Sequence, residues 1–158
     1  MVSPEQIVGE ILRNKKLTLS AAESCTGGRI GDKITNIPGS SDYFLGSMVT
    51  YSNEAKLALL EVKIESLKAY GAVSEQIAKE MGLGSRKVFG SDIGISTTGI
   101  AGPSGGSKEK PVGLVWFAVT DGKATKTDSV VFSGDRLDVK ESAANHAIEM
   151  IIAFLRKD

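Results

Sequence analysis

Apolar residues recur along this chain with two different periods, and the switches between them divide it into elements. Over residues 4–15 they fall at helical spacing, with Ile7, Ile11 and Leu12 on one face. Ser3 stands in front as an N-cap and Pro4 suits the first helical position. "LTLSAA" (17–22) is a short run of small and apolar residues, predicted to be a buried strand. A helix carrying Ile30 and Ile34 is predicted from about Thr26 and stops at "NIPGSSD", where Pro38 and Gly39 break it. "YFLGSMVTYS" (43–52) is apolar and β-branched enough for a strand, with Asn53 placed to cap a helix over "NEAKLALL".

Ser74 is the N-cap of a predicted helix reaching about Phe89, and "DIGISTTG" (92–99) reads as an interior strand. "VGLVWFAVT" and "ATKTDSVVF" flank Asp121-Gly122 as the arms of a hairpin. The last segment, 136–156, puts Val139, Ala143, Ala147, Ile148, Ile151, Ile152 and Leu155 on one broad apolar helical face. Strands alternating with helices, plus one hairpin, predict an α/β layered fold with a mixed β-sheet. Neither a repeat nor a long linker interrupts the pattern, so residues 1–158 are expected to form one domain.

Composition narrows the class. A chain of 158 residues, 41% hydrophobic, can bury roughly 70% of its unfolded surface and needs no disulfide or metal staple. Its one cysteine, Cys25, excludes an internal disulfide and a cysteine-rich zinc site. With 19 basic and 19 acidic residues the net charge is zero, which lacks the basic footprint of direct nucleic-acid binding. "MVSPEQIVGEILRNKK" has neither the apolar core of a signal peptide nor the length of a membrane span. A cytoplasmic protein with no membrane partner is the expectation.

The glycines cluster around 27–31 and 99–106, where backbone geometry rather than low complexity calls for them. "AAESCTGGRIGDKI" (21–34) sets Ser24 on a strand-to-helix connection. A helix start leaves backbone N–H groups unpaired and favours negative charge, so a phosphate or an acyl oxyanion could sit there. A capped, glycine-rich turn with no ligand explains the same residues. No nucleotide P-loop pattern G-x-x-x-x-G-K-[ST] occurs.

As a nucleophile Ser24 would need a base. The only histidine, His146, lies in the last helical segment without a motif around it, and Ser107–Lys110 spaces S-x-x-K across a Gly/Pro loop. Lys56 in "TYSNEAK" is the better base, in the first turn of its predicted helix, with Tyr51 at the preceding strand end as a proton relay or orienter. To serve near neutral pH, its pKa must fall from ~10.4 toward ~7–8, roughly 3–4 kcal/mol of differential interaction. The alternative is a solvated lysine beside Glu54. "STTGIAGPSGGSKEKP" (96–111) offers Thr97, Thr98 and the close-approach glycines Gly99 and Gly102, and "FSGDRLDVK" offers Arg136 as a phosphate or carboxylate clamp. Cys25 is the rival nucleophile, but as the neighbour of Ser24 in the turn it points elsewhere. Glu23 is open to three roles: catalytic group, partner of Lys56, or buried support.

Taken together, "AAESCTGG", "VTYSNEAK", "GAVSE", "TTGIAGPSGG", "KPVGLVWFAV" and "FSGDR" resemble the CinA C-terminal domain family, also known as nicotinamide-nucleotide amidases or NMN deamidases, over about residues 5–155. The resemblance implies a three-layer α/β/α domain that hydrolyses the carboxamide of nicotinamide mononucleotide to nicotinate mononucleotide and ammonia. It implies catalytic roles for Ser24, Lys56 and Tyr51, and substrate contacts for Thr98 and Arg136. Thr26, Gly27 and Gly99 join them as candidates for the phosphate cradle or the oxyanion hole. No metal and no cofactor is expected. Many members carry this domain behind a larger one resembling molybdopterin-binding proteins; the chain is similar to the stand-alone form, and the family suggests a homodimer. The competing readings are a nucleotide-binding regulatory module without turnover and a nucleic-acid-associated competence factor.

Overall fold

The computed structural model describes residues 1–157. In chain order its elements are α1 (Pro4–Lys15), β1 (Leu19–Glu23), α2 (Arg29–Thr35), a short 3-10 turn (Ser40–Asp42), β2 (Phe44–Val49), α3 (Asn53–Leu60), α4 (Ile64–Tyr70), α5 (Glu75–Phe89), β3 (Ile93–Gly99), β4 (Leu114–Thr120), β5 (Thr125–Val131) and α6 (Arg136–Arg156). The five strands form one sheet in the order β2-β1-β3-β4-β5. β1 is parallel to both β2 and β3, whereas β4 and β5 are antiparallel additions, so the sheet is mixed. α1, α2 and α6 pack over one face and α3, α4 and α5 over the other. Among the described residues no helix is long and apolar enough to cross a membrane.

Local chemistry explains where the boundaries fall. Ser3 closes a capping box on α1: its hydroxyl accepts from the Gln6 amide at 3.2 Å while the Gln6 side chain accepts from the Ser3 amide at 2.7 Å. The inner face of α1 is centred on Val8 and Leu12; Ile7 and Ile11 flank it half-buried, a rotation from the expected stripe. α2 starts at Arg29, three residues later than expected, because Gly27 (φ 61°) and Gly28 (φ 103°) take left-handed backbone that no helix can include. Ser52, not Asn53, caps α3, its hydroxyl accepting from the Ala55 amide at 3.1 Å; Asn53 becomes the first helical residue. The hairpin turn spans Asp121–Ala124, with the Asp121 carboxylate accepting from the Lys123 and Ala124 amides at 2.8 Å each. Seven-residue α4 was not expected from the sequence, and no side chain caps its start.

The period of two along β1 sorts its residues between the layers. Leu19 and Ala21 join the core beneath α1, α2 and α6, while Ser20 meets Ser85 of α5 and Ala22 packs with Leu60, Ile77 and Met81. Continued by two residues, the alternation sends Glu23 under the head of α2 and Ser24 toward α3. The Glu23 carboxylate is fully buried. One of its oxygens accepts from the Thr26 hydroxyl (2.6 Å) and the amides of Gly28 (3.1 Å) and Ile30 (3.0 Å). The other accepts from the Gly31 amide (3.0 Å) and the Ser47 hydroxyl of β2 (2.7 Å). One side chain therefore caps α2, ties it to β2 and discharges the unpaired amides of the helix start.

Replacing Glu23 by Gln sets an N–H₂ against a backbone N–H or a hydroxyl that now donates to oxygen. The expected cost is about 2–3 kcal/mol. It would be read in urea unfolding as a lower midpoint at unchanged slope.

Candidate active site

The chain leaves β1 through α2 to reach β2 on one side, then crosses through α3, α4 and α5 to β3 on the other. This reversal opens a crevice at the carboxyl ends of the three parallel strands, the usual ligand position in open α/β sheets. Ser24 follows β1, Tyr51 and Lys56 follow β2, and Thr98 and Gly99 end β3. These five residues and Cys25 line one cleft of about 240 Å³, together with Asn53, Ala72, Val73 and Ala101.

Lys56 is 1% exposed. Its Nζ lies 3.1 Å from Ser24 Oγ, 2.8 Å from the Thr50 carbonyl and 3.3 Å from the Tyr51 carbonyl. Burial pushes its pKa below the ordinary lysine value of 10.5, against a smaller opposing pull from Cys25. A neutral amine has two N–H groups and one lone pair. The two carbonyls can only accept, so they take the N–H groups and leave the lone pair for the Ser24 hydroxyl. The same three neighbours also suit the protonated form, with Ser24 Oγ as the third acceptor. The amine can therefore gain and lose a proton without rearranging its surroundings.

Cys25 is buried, and burial raises its thiol to about 12, so the neutral thiol dominates at physiological pH. Tyr51 is 60% exposed, and its hydroxyl accepts from Arg136 Nη2 at 2.8 Å rather than meeting Lys56. Only its carbonyl touches the amine, which corrects the expected relay through the phenol. Arg136 also donates from Nη1 to the Gly102 carbonyl at 2.6 Å, bracing the end of β2 and the 100–113 loop from the head of α6. The Thr98 hydroxyl donates to the Ala72 carbonyl at 2.8 Å and holds the segment before α5 over the cleft. At Gly99 a side chain would strike Val115 and the Leu114 carbonyl of β4, so strand packing alone calls for that glycine.

Thr26 does not face the cleft. It is fully buried, donating to Glu23 and accepting from the Thr97 hydroxyl at 2.9 Å. The head of α2 is equally closed to ligands, because Glu23 already occupies it. This corrects the expected phosphate cradle at Thr26 and the helix start, and gives Glu23 the role of buried support. Gly27 lies on an exposed turn. His146 pairs with Asp128 at 2.8 Å between β5 and α6, and the Ser107–Lys110 segment is a loop whose Lys110 amine reaches the Tyr70 carbonyl. Asn53, Ala72 and Val73 escaped sequence reasoning. Taking Ser52 as the cap, three residues before the Ala55 amide it binds, would have released Asn53 for the site.

A family model described as the CinA C-terminal domain matches residues 2–155. A CinA-like protein of Endomicrobium trichonymphae is 50% identical over 145 residues, covering 92% of this chain and 34% of that protein. A CinA-like protein of Sulfurihydrogenibium sp. is 46% identical over 151 residues, covering 96% of this chain and 38% of that protein. The chain thus spans little more than a third of the length of these curated relatives. The solved competence or damage-inducible protein from Enterobacter asburiae superposes with a TM-score of 0.92 at 33% identity, over 97% of this chain and 98% of its own. The competence/damage inducible protein CihA from Agrobacterium tumefaciens does so at 0.91 and 37%, over 98% and 96%. By sequence and by fold, this chain belongs to the CinA C-terminal domain family.

Proposed function

We propose that the protein is a serine amidase that hydrolyses the carboxamide of nicotinamide mononucleotide, giving nicotinate mononucleotide and ammonia in pyridine-nucleotide recycling. One observation carries the chemistry: a buried lysine amine, its pKa lowered, 3.1 Å from a serine hydroxyl at the rim of a cleft. The substrate rests on the resemblance of the Ser24, Tyr51–Lys56, Thr98 and Arg136 segments to nicotinamide-nucleotide amidases. At about 240 Å³ the cleft is below the ~300–1,000 Å³ usual for a whole small ligand, which suits a carboxamide-bearing ring with the ribose phosphate left over the rim. A module that only bound a nucleotide would have no use for an amine buried against a hydroxyl.

In this reading neutral Lys56 takes the Ser24 hydroxyl proton as Oγ attacks the amide carbon. The amides of Cys25 and Thr26, which donate to no backbone carbonyl among the described residues, are the donors nearest in sequence to Ser24 for the developing oxyanion. Lys56, now protonated, gives its proton to the leaving nitrogen, and ammonia departs from an acyl-Ser24 ester. Water then attacks the ester as Lys56 removes its proton. Collapse releases the carboxylate and returns the proton to Ser24 Oγ.

Ser24→Ala and Lys56→Met should each lower kcat for ammonia release by about 10³-fold or more, and the double variant should fall little further, as expected of groups acting as one unit. Lys56→Arg should fail as completely, since a guanidinium keeps its proton. Cys25→Ala should stay within a few-fold of wild type. Survival of ammonia release in Ser24→Ala would sink the serine mechanism.

The unprotonated amine is the working form, so kcat/KM should fall as pH drops through the Lys56 pKa and level off above it. Its midpoint should lie below the ordinary lysine value of 10.5. A pH–rate profile flat from neutrality down to pH ~5 would contradict the assignment of Lys56 as base.

A further inference from the structure

An anionic substrate needs counter-charge, and the helix heads around the cleft supply none. Glu23 fills the head of α2, the Ser52 hydroxyl takes the Ala55 amide of α3, and the Asp135 carboxylate accepts from the Asp138 amide of α6 at 2.9 Å. Side-chain cations must serve instead. Lys56 is committed to Ser24 and two carbonyls, and Arg136 to Gly102 and Tyr51. Lys140 remains.

Lys140 lies one turn beyond Arg136 on α6 and is half-buried. It makes no hydrogen bond and no ion pair among the described residues, although its neighbour Glu141 pairs with Lys33. Its ammonium rests against the Gly27 turn: a side chain at 27 would begin 3.0 Å from Nζ. Its charge is also felt at Cys25, which lines the Ser24 cleft. A partly desolvated ammonium without a partner, beside a turn that carries no side chain, is a receptor for a compact anion.

We propose that Lys140 is the phosphate-binding, specificity-determining residue of this site, holding the phosphomonoester of the substrate over the Gly27 turn while the carboxamide lies at Ser24. The identity of the substrate rests on the amidase reading; the anion site rests on the geometry of Lys140. The inner cleft then selects the amide-bearing ring and Lys140 selects the phosphorylated nucleoside over the free nucleoside.

The test is steady-state ammonia release from nicotinamide mononucleotide and from nicotinamide riboside, with wild type, Lys140→Ala and Lys140→Arg, each checked for an unchanged melting temperature. Lys140→Ala should raise KM for the mononucleotide by roughly 10- to 100-fold, the loss of one charge-assisted contact, with kcat within about two-fold. Its kcat/KM for the riboside should not change, and Lys140→Arg should recover most of the mononucleotide KM. Equal losses on both substrates, or no loss on the mononucleotide, would overturn the proposal and leave the amidase standing. If wild type releases no ammonia from either, titration calorimetry with the mononucleotide decides. Binding that weakens in Lys140→Ala upholds the anion site and removes the amidase, whereas binding indifferent to Lys140, or none, removes both.

Discussion

The Glu23 carboxylate accepts five hydrogen bonds in a place fully closed to water, and the arrangement of the site follows from them. Without a negative charge there, three amides of the α2 start would be buried facing nothing. With it, the Ser24–Gly28 turn is fixed at both ends: by β1 before it and by the capped helix after it. Ser47 extends the same carboxylate to β2, the strand that leads into Tyr51 and Lys56. Thr26 and Thr97 extend it toward β3. One buried anion thus sets three parallel strand ends relative to each other. It sits next in sequence to the proposed nucleophile, but on the opposite face of the sheet.

On that opposite face the physics runs the other way. Glu23 is surrounded by five donors, whereas Lys56 meets only two carbonyls and a hydroxyl, and burial dominates its proton affinity. A carboxylate close to Lys56 would favour the ammonium and end its use as a base. The strand alternation that sends Glu23 away from Ser24 keeps that from happening. The buried amine costs stability, a usual trade at sites where activity depends on an unfavourable environment.

The element pattern was legible where periodicity was strong: α1, α5, α6 and the β4–β5 pair stand close to their expected limits. What sequence could not carry was direction. Thr26, Thr97 and Thr98 are similar side chains near similar glycines, yet the first two face the Glu23 network and the third the cleft, according to strand parity and a two-glycine turn. Tyr51 was legible as a neighbour of Lys56, but β2 ends at Val49 and the ring then swings outward to Arg136. Lys140 closes the FSGDRLDVK stretch in which only Arg136 was singled out, and only folding brings α6 across the Gly27 turn.

The alternation along β1 also determines which changes this chain can survive over evolutionary time. Substitutions at Leu19 to Ala22 alter one layer each and can be compensated locally. An inserted or deleted residue cannot, because it exchanges the two faces at once. The acidic cap would move into the lysine chamber, the serine would turn beneath α2, and apolar side chains would trade cores. Ahead of Glu23, β1 is thus a segment whose letters can drift while its length is frozen, and a gap there in an otherwise alignable sequence would mark a lineage that has abandoned the Ser24–Lys56 arrangement.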